Sequence, residues 1–192
     1  MTEAQMKYDP AKHHRRSIRL KGYDYAQPGA YFVTICVQNR ECALGEVVDG
    51  EVRLNEWGQA VEAEWQALPG RFPYVELDAF VVMPNHVHGI MMMVDGDRGG
   101  AVAAPTNEGG ETLPLREPLG KMVAYFKYQT TKRLNAHRAT PGAKFWQRNY
   151  YEHVIRNDVD LKRIREYIHH NPARWAEDQL HPAAPPNRFN RD

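Results

Sequence analysis

Residues 74 to 94 constrain the fold more than any other stretch. Tyr74 to Met83 reads as a strand with Val75, Leu77, Ala79, Val81 and Met83 on one parity, and His86 to Val94 reads as a second. Side chains on a strand alternate between faces, so each run predicts a sheet surface that must be covered. Pro84-Asn85 between them marks a break short enough to pair the two strands with each other. In the second run His86 and His88 share one face while Val87 turns to the other. Two imidazoles side by side can chelate a divalent cation. An isolated His-x-His more often just fills polar positions on a half-exposed strand, so the rest of the chain has to decide.

The remaining elements follow the same kind of signal. Ala30 to Val37 is β-branched and aromatic, hence a strand, after a Pro28-Gly29 turn. Leu44 to Leu54 predicts a hairpin about Asp49-Gly50. Asn55 is placed to cap a helix bearing Trp57, Val61, Trp65 and Leu68 and ending near Pro69-Gly70, with Gly58 a weakness in its first turn. Leu119 to Leu134 predicts a basic amphipathic helix with Met122, Phe126 and Leu134 on one face. The aromatic segment from Phe145 to Ile155 ends in a strand, and Asp158 is placed to cap a last helix, Asp160 to His170, that Asn171-Pro172 terminates. This order predicts an α+β fold, an antiparallel sheet covered by helices. The domain expectation is a basic arm over 1–24, one domain over 25–175 with a flexible Gly/Ala/Pro-rich loop over 95–118, and a Pro-rich tail over 176–192, disordered from residue 180.

The 192 residues suffice for one sizeable core. No apolar run reaches the roughly 18 residues needed to span a bilayer, and the N-terminus lacks a signal-peptide core. A cytoplasmic protein without a membrane partner is expected. Cys36 lies in a strand pattern and Cys42 has no CxxC partner, so a buried thiol is expected rather than a disulfide or zinc ligand. The net charge of +1 hides a segregation: residues 41–115 hold 3 basic and 13 acidic residues, residues 116–174 hold 13 basic and 5 acidic. Together with the basic arm, this points to a polyanion-facing side.

The last helix supplies what the histidines lack. Tyr167 and Asn171 are four residues apart and share a helix face, with His170 close to it. Two histidines and a carbonyl oxygen suit Mg²⁺ or Mn²⁺, though ligand type alone leaves Zn²⁺ open. Tyr31-Phe32-Val33-Thr34, Val82-Met83-Pro84-Asn85-His86-Val87-His88, Phe145-Trp146-Gln147-Arg148, Tyr151-Glu152-His153-Val154-Ile155-Arg156-Asn157, Glu166-Tyr167-Ile168 and Asn171-Pro172 form an ordered series over about residues 25 to 175. In this series the chain resembles the single-tyrosine HUH (His-hydrophobic-His) transposases, IS200-like proteins, and especially their REP-associated branch.

The resemblance implies a ferredoxin-like palm and a metal-dependent single-stranded DNA endonuclease and strand transferase. A tyrosine attacks the scissile phosphate to leave a 5′-phosphotyrosine link and a free 3′-OH. It implies hairpin-forming, repetitive extragenic palindromic DNA as partner, and a monomer or a homodimer. Tyr167 matches the family's nucleophile. Tyr125, which pairs with Gln129 at a spacing used in related transposases, is a rival at the wrong place in the chain. The implied metal ligands are His86, His88 and a residue of the tyrosine helix, Asn171 or else His170. His153 suits a structural hydrogen bond at least as well as catalysis. DNA-contact candidates are Arg15, Arg16, Arg19 and Lys21 in the arm, Lys127, Lys132 and Arg133 on the basic helix, and Arg148, Arg156, Arg163 and Arg165 near the last helix. Aromatic side chains can stack unpaired bases, with core packing the expected role of Trp146. Two other readings stay open: a non-catalytic hairpin-binding protein and a zinc hydrolase, the latter short of a further His or Asp ligand.

Overall fold

The computed structural model describes Leu20 and residues 22–95 and 117–185. Its centre is a four-stranded antiparallel sheet made of β1 (Gly29–Cys36), β4 (Val75–Met83), β5 (His86–Met93) and β6 (Tyr151–Ile155), in the order β4-β5-β1-β6. Between β1 and β4 lie the hairpin strands β2 (Gly45–Val48) and β3 (Glu51–Leu54), then α1 (Glu56–Gln66) and the short α2 (Leu68–Arg71). The chain then runs through α3 (Leu119–Arg138) before β6 and α4 (Asp158–His170) after it. Without the β2–β3 hairpin, α2 and α4, this is the β-α-β-β-α-β plan of ferredoxin-like folds, with an added helix carrying Tyr167.

Local chemistry explains the elements. Asp49 and Gly50 both have positive φ, as the tight hairpin turn demands. Asn55 caps α1 by accepting from the Trp57 and Gly58 amides at 3.0 Å. Gly58 is there because a Cβ would press into the Leu44 carbonyl oxygen, so the apparent weakness is a close-packing requirement. The cap of α4 is Asn157, whose side chain accepts from the Asp160 amide at 2.8 Å, rather than the expected Asp158. Asp158 instead opens the first turn, where its charge meets the helix dipole.

The sheet separates two cores. Tyr31, Val33, Ile35, Val87 and Met91 face a large one, filled by Val61 and Trp65 of α1 and by Met122 and Phe126 of α3. Phe32, Ile90 and Ile155 face a smaller one, closed by Ile164 and Ile168 of α4. The expected single parity of β4 fails midway. A register shift between Leu77 and Phe80 inserts one residue, so Val75 and Leu77 face the large core while Ala79 and Val81 face α4. Phe80 is thereby turned onto Trp65, rings 4.5 Å apart and near parallel. Both lie over Gly89, where any Cβ would strike them.

The end of α4 also differs from expectation. Pro172 biases its predecessor away from helical angles, yet Asn171 is helical (φ −58°, ψ −42°), and the chain continues into a 3-10 segment, Pro172–Glu177. Residues 178–185, read as the start of a loose tail, turn back onto the sheet. Leu180 is buried, and its carbonyl oxygen accepts from the Asn85 side chain at 2.8 Å.

Candidate active site

His86 and His88 open β5 on the α4 face, both buried, with Val87 in the large core as strand parity requires. Each ring is held through Nδ1. His86 Nδ1 lies 2.8 Å from Asn85 Oδ1, and the Asn85 amide group donates to the carbonyls of Arg40 and Leu180. Asn85 must therefore accept at Oδ1, so His86 carries its proton on Nδ1 and leaves Nε2 bare. His88 Nδ1 lies 2.8 Å from Thr34 Oγ1. The two Nε2 atoms are 3.0 Å apart. Burial lowers the pKa of both rings, His86 to about 3, and for His88 the neighbouring His86 adds to the effect. Both are neutral at pH 7, the form that ligates a cation.

Tyr167 reaches this pair from α4. Its hydroxyl lies 3.1 Å from His88 Nε2, and its ring packs edge-on to Phe32 and His88. Burial of the hydroxyl end and the charge of Asp178 push the phenol pKa above its usual 10, against a smaller opposing effect of Asn171. The phenol therefore keeps its proton at neutral pH and lies within hydrogen-bond distance of His88 Nε2. The two Nε2 atoms converge on the same point of the site. Such a pair of converging donors fits a divalent cation.

Further candidate donors sit in the turn after α4. Asn171 Oδ1 is buried with no hydrogen-bond partner, an orphan that a cation would satisfy. Its Nδ2 donates to Asp178 Oδ2 at 3.0 Å. His86, His88 and Asp178 offer ligand atoms within 4.8 Å of one another, the metal-capable cluster found among the described residues. Sequence reasoning missed Asp178 because it assigned the residue to a tail. The only local signal was an acid a few residues beyond the tyrosine helix. His170, the alternative ligand, is exposed, donates from Nδ1 to the Glu166 carbonyl at 2.7 Å, and is not in that cluster.

The other candidates sort by where they point. Tyr125 packs edge-on to Phe72 against the large core, on the opposite side of the sheet from the histidines. His153 lies 2.6 Å from Asp160, which also takes Arg163 at 2.6 Å. Trp146 is buried and donates to Thr130 Oγ1 at 2.7 Å. Neither cysteine is in a disulfide; Cys36 lines the cleft described next, its thiol pushed up to about 11 by burial, while Cys42 is exposed.

His88 and Tyr167 open into a cleft of about 2130 Å³. Lys127, Arg148 and Arg163 line it, joined by Arg40, Lys144 and Arg174, which the sequence reading had not singled out. Lys127 is committed locally: its ammonium donates to the carbonyls of Gln147 and Asn149 at 2.9 and 3.0 Å, and burial lowers its pKa to about 8. Arg165 is clamped on Asp78 through two bonds of 2.8 and 2.5 Å and does not line the cleft. Arg133 pairs with Glu64 on the far side, and Lys132 and Arg156 are exposed outside the cleft. Arg15, Arg16, Arg19 and Lys21 lie outside the described residues. No helix among the described residues is long and apolar enough to cross a membrane.

Fold and site together define a class: proteins that bring a histidine pair able to hold a cation and a tyrosine together on one face of an antiparallel sheet, beside a basic cleft. No family model matches the chain. It is 40% identical over 178 residues to an uncharacterized protein of Haemophilus influenzae, covering 91% of this chain and 97% of that one. A candidate REP-associated tyrosine transposase of the same organism is 25% identical over 177 residues, covering 88% of this chain and 84% of that one. The fold is that of a solved REP-associated tyrosine transposase bound to a REP hairpin, with TM-score 0.56 and 22% identity over 86% of this chain and 77% of that one. The chain is thus similar over most of its length to these two Haemophilus influenzae proteins and shares the fold of the solved REP-associated tyrosine transposase.

Proposed function

We propose that the protein is a metal-dependent single-stranded DNA endonuclease and strand transferase that acts on hairpin DNA through Tyr167. The observation that carries this reading is the 3.1 Å contact of the Tyr167 hydroxyl with His88 Nε2, itself 3.0 Å from His86 Nε2. A nucleophile and a chelating pair meet in one chain, at the wall of a cleft with six basic side chains. The REP hairpin held by the solved relative supports hairpin DNA as the partner.

In this reading His86, His88 and the Asn171 carbonyl oxygen hold Mg²⁺ or Mn²⁺, with Asp178 next to Asn171 as a further oxygen donor. The bound cation supplies Lewis-acid stabilisation of the phosphate's developing charge, worth several kcal/mol. Arg163 and Arg148 hold the strand by its phosphates, which fixes register without reading sequence. The Tyr167 oxygen attacks phosphorus, the bond to the 3′ oxygen breaks, and the phenolic proton ends on the departing 3′-hydroxyl. One phosphoester replaces another, so the step is reversible and a second 3′-OH can take the strand.

Tyr167→Phe tests the assignment. The variant is expected to bind a single-stranded hairpin oligonucleotide as the parent does and to form no covalent adduct on a denaturing gel with Mg²⁺ or Mn²⁺. Adducts that persist would remove Tyr167 from the role, and a parent protein that binds but never forms them would favour a non-catalytic hairpin binder. Asp178 also gives the zinc-hydrolase reading the third ligand it lacked, since two histidines and a carboxylate suit catalytic zinc. One Zn²⁺ retained through purification, with no adduct in any metal, would favour that alternative.

A further inference from the structure

Of the five large apolar side chains exposed among the described residues, three are tyrosines that line this one cleft: Tyr128 at 63%, Tyr151 at 40% and Tyr167 at 42%. Tyr167 has a task under the reading above; Tyr128 and Tyr151 have none. Exposed aromatic rings cost solvation, and their gathering beside Lys144 and Arg148 is the combination that binds unpaired nucleic acid, with rings for base faces and cations for the backbone.

The framework fixes both rings relative to the histidines. Tyr151 opens β6 opposite Thr34 on β1, and Thr34 lies opposite His88 on β5. The three residues thus form one row across the sheet, which puts Tyr151 two strand spacings, about 10 Å, from His88. Tyr128 lines the same cleft from α3, the helix that Lys127 ties to the carbonyls of residues 147 and 149, and Arg148 lines it too.

We propose that Tyr151 and Tyr128 are successive stacking platforms for unpaired bases, so that single-stranded DNA flanking a hairpin runs from Tyr167 past Tyr151 to Tyr128. Lys144 and Arg148 take its phosphates. This rests on the reading of the cleft as a DNA site and adds which part of the DNA occupies this arm: the unpaired flank, recognised by its exposed base faces.

The test is fluorescence anisotropy in EDTA, which needs no catalysis, with two probes: a labelled hairpin with a short oligothymidine flank and the same hairpin with a blunt end. Tyr128→Ala and Tyr151→Ala are each expected to weaken binding of the flanked hairpin about tenfold, the loss of one stacked base. Tyr128→Phe and Tyr151→Phe should bind it like the parent, since a stacking face survives and folding is controlled. Blunt-hairpin binding should not move in any of the four. Undiminished binding of the flanked probe by both alanine variants would overturn the proposal, as would equal losses on the two probes. Adducts formed by a protein whose alanine variants bind normally would sink only the stacking platforms. Stacking losses in a protein that forms no adduct would sink only the catalytic reading.

Discussion

Asn85 does more for the histidine pair than its place in a turn suggests. It accepts from His86 Nδ1 and so fixes the tautomer, while its own amide hydrogens are spent on Arg40 and Leu180. Removing such an orienting partner costs 10–100-fold in metal affinity in well-studied sites. Asn85→Ala is expected to weaken Mn²⁺ binding in that range in a calorimetric titration, and unchanged affinity would show that packing alone orients His86. Protons address the same ring. A folded-state pKa of about 3 against 6.5 ordinarily means that the unfolded chain takes up the proton first. Stability is therefore complete above about pH 6.5 and falls as pH drops towards 3. Urea midpoints of the metal-free protein should decline from pH 7 to pH 4, and His86→Gln should flatten that decline; an equally steep fall in the variant would assign it to other groups. Strand parity made the histidines legible in the sequence because it acts over two residues. Asp178 was not legible, because its approach depends on Asn171 staying helical before a proline and on the turn that buries Leu180.

Two glycines show how an element's context sets the sign of one substitution. Alanine outranks glycine in helices by about 1 kcal/mol. At Gly70 the added methyl meets nothing, so Gly70→Ala should be neutral or stabilising. At Gly58 it would meet the Leu44 carbonyl, and overpacking of about 1–3 kcal/mol should outweigh the propensity gain. Urea midpoints of the two variants should move in opposite directions or differ by that amount; a shared gain would mean that the β2 approach relaxes freely. Element existence was legible throughout, since β-rich runs, the Asp49-Gly50 turn and the Asn55 cap each act locally. The bulge in β4 was not. An inserted residue leaves the apolar alternation intact in the sequence while exchanging which core it serves, and Phe80 finds Trp65 only in three dimensions. Arg165 was misjudged for a related reason: its charge was visible, but its partner Asp78 lies at that same irregularity on another element.

Across the whole molecule, the segregated charge became a cleft with only part of the expected basic set: Arg148 and Arg163 line it and Lys127 props its wall, while Lys132, Arg133, Arg156 and Arg165 face elsewhere. Composition records how much positive charge a region carries, and only the fold decides which side chains converge. Tyr167, His88 and His86 meet within one chain, and the reading proposed above predicts that they act together in cis. Mixing Tyr167→Phe with His88→Ala should therefore yield no covalent DNA adduct, whereas restored adducts would mean that tyrosine helices are exchanged between copies. The contact between Tyr167 and His88 also bears on cation binding. His88 Nε2 can engage the Tyr167 hydroxyl or a cation, not both at once, so a cation bound at His88 would release that hydroxyl from the ring.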